Sequence, residues 1–152
     1  MLTGCFVESM TMVQSGIGAS QGRVFQSAIS PAISFSVKET TGMFPIEHII
    51  KKLNIKPNQK VLDIGSGWGS LAIDIAKKTS AQVVGITLSE NQLEYSKKKV
   101  KELNLGNQVD FKLIDYRQIN EKFDRIVSVG MFEHVGRKYY QKFFNQVAKL
   151  LN

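Results

Sequence analysis

The chain has 152 residues, 43% of them hydrophobic and 22% charged, with a net charge of +7. That length allows one domain with a real core, and the composition is ordinary for a soluble globular protein. The single cysteine excludes an internal disulfide. No apolar run approaches the ~20 residues of a membrane-spanning helix, and the amino terminus has no basic cluster followed by an apolar stretch, so cytoplasm is the default location.

Residues 1–44 are rich in Ser and Gly and show no clear periodicity. Their charges, Arg23 and Lys38 against Glu8 and Glu39, cancel, so the whole positive excess lies in 45–152. This segment is expected to be poorly ordered or unrelated to the domain behind it, with a break near Gly42. Pro45 then suits a first helical position, and Ile46, Ile49, Ile50 and Leu53 form an apolar stripe. Val61–Ile64 reads as a first strand and Leu71–Lys78 as the helix after it. Gln82–Thr87 is a second strand. Ser89 with Gln92 has the spacing of a capping box and opens a helix to about Leu103, with Leu93, Val100 and Leu103 on one side. Val109–Ile114 is a third strand and Asp124–Val129 a fourth. Arg137–Leu151 is a final helix, with Tyr139, Tyr140, Phe143 and Phe144 expected in the core and Val147 and Leu151 on the same side.

Strands alternating with helices imply an α/β fold, a doubly wound parallel sheet. Ligands in such sheets bind beyond the carboxyl ends of the strands. Four segments would converge there: the loop after Val61–Ile64, then Thr87–Gln92, Asp115–Tyr116 and Val129–Glu133. The first is the most informative, because Gly65, Gly67 and Gly69 alternate through it. Glycine is needed where φ turns positive or where a ligand comes too close for a Cβ, and the following helix offers free N–H groups. A nucleotide-like cofactor is expected against this loop. The dinucleotide fingerprint G-x-G-x-x-G fits poorly, since Ser70 holds the third glycine's place. The pattern is D-x-G-x-G-x-G, beginning at Asp63. A plain connecting loop is the alternative reading of this segment alone.

That pattern resembles motif I of the class I S-adenosylmethionine methyltransferases, with their Rossmann-like fold. Three collinear blocks narrow the resemblance: residues 61–71 (VLDIGSGWGSL), 85–92 (GITLSENQ) and 123–136 (FDRIVSVGMFEHVG). Together they resemble the cyclopropane-fatty-acyl-phospholipid synthases and the related mycolic acid cyclopropane synthases, over about residues 46–152. Thr87 and Leu88 stand where most class I enzymes carry an acidic residue for the ribose, and this block is the most discriminating.

The resemblance implies transfer of a methyl group from S-adenosylmethionine to the cis double bond of a phospholipid acyl chain, at an anionic membrane surface, with bicarbonate as the base that removes a proton before ring closure. It also implies site residues. Asp63, Gly65, Ser66, Gly67, Trp68 and Gly69 would form the cofactor loop. Thr87, Leu88 and Gln92 would lie on the ribose and adenine side, and Asp115 and Tyr116 would flank the adenine. Glu133 would hold bicarbonate, with the Val129 backbone touching the same ion; no metal is expected. Plainer readings stand beside these: Glu133 as a helix-terminal acid, Trp68 as packing over the loop, His134, Asp74 and Asp124 as structural, and His48 facing solvent.

Two departures from the family's pattern bear on function. A Tyr-Ser-Cys segment before the first helix is not found, and Cys5 does not take its place. The chain also stops after the fourth strand and its helix, so a truncated form holding only the first four strands is expected, with the fourth strand left as an exposed sheet edge. Three functional readings remain: a lipid-modifying methyltransferase, a small-molecule methyltransferase with the same cofactor half, and an inactive cofactor-binding fragment. Nicotinamide binding fits poorly. The lysines at 97, 98, 99 and 101 favour an anionic partner, a lipid surface or nucleic acid, or form a solvated face; nucleic acid is not expected.

Overall fold

The computed structural model describes residues 5–8, 33–36 and 46–152. Two short strands come first, β1 (Cys5–Glu8) and β2 (Ile33–Ser36). Helix α1 (Ile46–Leu53) leads into β3 (Lys60–Ile64) and α2 (Ser70–Thr79). Then follow β4 (Gln82–Thr87), α3 (Glu90–Glu102), β5 (Val109–Leu113), β6 (Arg125–Val129) and α4 (Tyr140–Leu150). Short 3₁₀ turns occupy Tyr116–Gln118, Phe132–His134 and Arg137–Tyr139. Pro45 and Gly42 lie outside the described residues, as does most of the segment expected to be disordered or unrelated.

The strands form one parallel sheet in the order β2-β1-β6-β3-β4-β5. The four strands expected from residues 45–152 are all present, and their order reverses at β3, which has β4 on one side and β6 on the other. Strands buried on both faces read as largely apolar runs, as β4 does and as β3 does apart from Asp63. Side chains alternate between the faces. Leu62, Ile64, Val84, Ile86 and Ile126 pack under α4, through Phe143, Phe144, Val147 and Leu150. Val61, Val83 and Val127 pack on the other face against α1 and α2, through Ile49, Leu53, Ala72, Ile73 and Ile75.

The fourth of these strands, β6, is not an edge. Cys5–Glu8 pairs with it in parallel, Cys5 opposite Ile126 and Glu8 opposite Val129, and β2 pairs with β1. The backbone groups expected to be unpaired therefore bond to a segment more than a hundred residues earlier. The final helix begins later than expected. Gly136, with φ 76°, redirects the chain into a 3₁₀ turn over Arg137–Tyr139 before α4 starts. Tyr139 is exposed, not in the core, because it precedes the first helical turn.

Candidate functional site

The strand order reverses at β3, where sheets of this kind bind their ligands, and two glycine-containing loops meet beyond the carboxyl ends of β3 and β6. The β3 loop turns at Gly65, whose φ is 79°. A Cβ added at Gly65 would lie 2.5 Å from the Met131 Cβ, in the loop that leaves β6. Gly67, with φ 55°, differs: a Cβ there would meet nothing within 4 Å. The loop thus touches its neighbour at Gly65 and opens to solvent at Gly67. Gly69 backs onto the interior, where a Cβ would come within 2.6 Å of the Phe111 ring.

Hydroxyls fix this edge. The Ile86 carbonyl, at the end of β4, accepts from Gly65 N–H at 3.0 Å, Ser66 N–H at 2.9 Å and Ser66 Oγ at 3.2 Å. Ser128, fully buried in β6, donates to the Ile64 carbonyl at 2.9 Å, one residue before Gly65. The glycine loop is therefore tied to β4 through Ser66 and to β6 through Ser128. At the end of β4, Thr87 Oγ1 donates to Gln92 Oε1 at 2.7 Å and accepts from Ser89 N–H at 3.2 Å. Ser89 in turn accepts from Gln92 N–H at 3.4 Å. The expected capping box is half present: Thr87, not the Gln92 side chain, satisfies the Ser89 N–H.

Asp63 is the most unusual group at this edge. It is buried, and its Oδ2 has no hydrogen-bond partner. Burial disfavours the charged form and pushes its pKa up to about 7. A buried carboxyl oxygen without a partner is expensive for the fold, and this one sits in the strand that ends in the glycine loop.

The other expected residues are distributed along the same edge. Trp68 is exposed and stands edge-on to Tyr95 in α3, with centroids 5.3 Å apart. Leu88 is exposed. Asp115 caps the 3₁₀ turn through Arg117 N–H at 2.9 Å and is held by the Arg117 guanidinium, whose hydrogen bonds lower its pKa. Tyr116 packs edge-on against Phe143 at 5.1 Å, and burial raises its pKa. Glu133 is exposed in the turn after β6, and Val129 is half-buried at the end of that strand. Of the plainer readings, Asp124 is structural: it accepts from Lys60 N–H and from the Asn152 amide, both at 2.8 Å, and these bonds lower its pKa. His48 is exposed.

Sequence reasoning missed Ser128, Met131 and Phe111. Ser128 interrupts an apolar strand, and that interruption was its only signal. An open depression lined by Lys97, Val100, Lys101, Asn104 and Asn107 lies at the amino end of β5, the opposite end from the glycine loop.

Residues 39–152 match the family model described as mycolic acid cyclopropane synthetase. The chain is 43% identical over 113 residues to the cyclopropane-fatty-acyl-phospholipid synthase of Escherichia coli (strain K12), covering 74% of this chain and 28% of that protein. It is similar to the crystal structure of the mycolic acid cyclopropane synthase CmaA1 complexed with SAH and CTAB, with a TM-score of 0.67 and 36% identity over 70% of this chain and 38% of that one. It is also similar to coclaurine N-methyltransferase bound to N-methylheliamine and SAH, with a TM-score of 0.66 and 27% identity over 76% of this chain and 36% of that one. The chain thus spans well under half the length of these relatives.

Proposed function

The chain belongs to the mycolic acid cyclopropane synthetase family, and from that premise we propose that it contributes the cofactor half of an S-adenosylmethionine-dependent methyl transfer to the cis double bond of an unsaturated phospholipid acyl chain. The fold is the Rossmann-like fold of class I methyltransferases. What carries the reading to the cofactor is the contrast within one loop. Gly65 and Gly69 are closed off by Met131 and Phe111, whereas the backbone at Gly67 stands open, beside a strand that holds an unpartnered buried carboxyl at Asp63.

These residues fit the cofactor. Backbone N–H groups at the amino end of α2 suit its polar methionyl end, and Asp63 is a buried acceptor for a cation. Trp68, Leu88 and Gln92 supply apolar and amide surface for an adenosine, with Asp115 and Tyr116 beside them. When bound, S-adenosylmethionine supplies an electrophilic methyl group. The work of the chain is then positional, since an alkene is a weak nucleophile and must be held in line. Ser66 and Ser128 hold the loop rigidly for that purpose. Transfer would form a carbon–carbon bond as the carbon–sulfur bond breaks, releasing S-adenosylhomocysteine and leaving a carbocation on the acyl chain, which would close to the ring once a base takes a proton from the transferred methyl.

Glu133 and the Val129 backbone are the groups proposed to hold bicarbonate. Among the described residues these two do not make a bicarbonate site by themselves, because a carboxylate repels an anion unless a proton is shared between them. A second reading, methyl transfer to a small amine, is favoured by the likeness to coclaurine N-methyltransferase, and an inactive cofactor-binding fragment is the third. Calorimetric titration with S-adenosylhomocysteine, followed by transfer of labelled methyl to cis-unsaturated phospholipid vesicles, separates the three. Cofactor binding with lipid labelling supports the proposal. Labelling of a small amine alone supports the second, and binding without any transfer the third.

A further inference from the structure

Among the described residues, the large apolar side chains that remain exposed are Trp68, Leu88, Tyr95, Leu113 and Tyr139. Their positions are not scattered. Trp68 lies in the loop after β3, Leu88 follows β4, and Leu113 closes β5. Tyr95 is in the second turn of α3 against Trp68, and Tyr139 immediately precedes α4. All five sit on the carboxyl edge of the sheet, the edge that carries the glycine loop. Exposed apolar side chains gathered on one face mark a contact surface; Trp68 and Leu88 are the two assigned above to the adenosine, which leaves Tyr95, Leu113 and Tyr139 exposed beside it.

At the Tyr139 end, charge joins the apolar surface. Arg137, Lys138 and Lys142 are exposed. The Lys138 and Lys142 ammonium groups lie 4.9 and 5.9 Å from the Tyr139 ring centroid. None of the three cations takes part in an ion pair among the described residues. Glu133 is the one acidic side chain between Gly130 and Lys142. The first turn of α4 has no acidic residue, and cations at that end oppose the helix dipole. The fold therefore keeps three like charges together where they disfavour it, with nothing acidic in that turn to offset them.

We propose that this edge docks on an anionic lipid surface, with Tyr139 in the headgroup layer and Arg137, Lys138 and Lys142 against lipid phosphates. Amphipathic aromatics and long cationic side chains both favour such an interface. Docking in this pose turns the glycine loop and the carboxyl ends of β3 and β6 toward the acyl chains. The proposal rests on the lipid-substrate reading above and adds to it the surface that finds the substrate. Lys97 and Lys101 flank the depression at the opposite edge and face away from the membrane in this pose.

The test is co-sedimentation of the 152-residue chain with vesicles of phosphatidylglycerol mixed into phosphatidylcholine, and with phosphatidylcholine alone. Binding should require the anionic lipid and weaken with salt. The double variant Lys138→Gln/Lys142→Gln should lower the partition coefficient roughly 30-fold, from about fivefold per cation near a charged surface. Lys97→Gln/Lys101→Gln should change it far less. Equal binding to both vesicle types, an equal loss from the two double variants, or a chain that dimerises instead of binding vesicles would each overturn the proposal. Calorimetry with S-adenosylhomocysteine on the same samples keeps the underlying reading separate. A wild type that binds vesicles but not this ligand counts against the catalytic reading and leaves the docking surface supported.

Discussion

Replacing Gly67 and Gly65 in turn by alanine separates a ligand contact from a fold contact within one loop. At Gly67 the new methyl meets nothing within 4 Å, so the strain is limited to φ 55°. A left-handed backbone costs a non-glycine residue about 1–2 kcal/mol, which for a chain of this size lowers Tm by roughly 2–8 °C. At Gly65 the same backbone term applies at φ 79°, and the methyl would also lie 2.5 Å from the Met131 Cβ. Overpacking adds about 1–3 kcal/mol, giving a total of roughly 2–5 kcal/mol. Thermal unfolding should therefore rank wild type above Gly67→Ala, and Gly67→Ala above Gly65→Ala. S-adenosylhomocysteine affinity should behave differently, because the Gly67 methyl occupies the space assigned to the ligand. Folded Gly67→Ala should bind at least tenfold more weakly than wild type by calorimetry. If it binds as tightly as wild type, the ligand does not lie against Gly67 and the site is misplaced.

Asp63→Asn should change the pH dependence of stability. The folded pKa of Asp63 is raised to about 7, against about 3.9 unfolded. The neutral acid favours the fold, so its contribution is complete below about pH 4 and is lost as pH rises to about 7. The asparagine variant lacks this loss, so urea titrations should show its advantage growing across that window toward roughly 4 kcal/mol; parallel curves would refute the assignment. Ser128→Ala breaks the bond to the Ile64 carbonyl inside the sheet. It should destabilise by about 1–2 kcal/mol and weaken S-adenosylhomocysteine binding beyond that of an equally destabilised core variant such as Val147→Ala. Trp68→Ala removes an exposed ring that touches Tyr95. Its Tm should stay within a few degrees of wild type while ligand affinity falls, and unchanged affinity would remove Trp68 from the site.

The parts of the fold legible in the sequence were those set by local chemistry. Gln82–Thr87 is buried along almost its whole length, so its apolar run matched the observed strand end to end. The alternating glycines marked the turn because no other residue tolerates both φ 79° and the approach of Met131 at Gly65. What escaped depends on distant partners. Nothing near Cys5 announces its pairing with Ile126, and Ser128 shows its role only through the register that sets β6 beside β3. Tyr139 matched a helical stripe, but the turn begun at Gly136 places it outside the helix. Thr87 and Gln92 were assigned to the cofactor, yet they also bond to each other, a pairing that two residue names five positions apart do not reveal.

The most direct test is the backbone amide NMR spectrum of the 152-residue chain with and without S-adenosylhomocysteine. The account predicts saturable shifts concentrated at residues 65–69, 87–92 and 115–116, around the carboxyl ends of β3, β4 and β5. Shifts concentrated instead at Lys97–Asn107, or none in a folded chain, would contradict it.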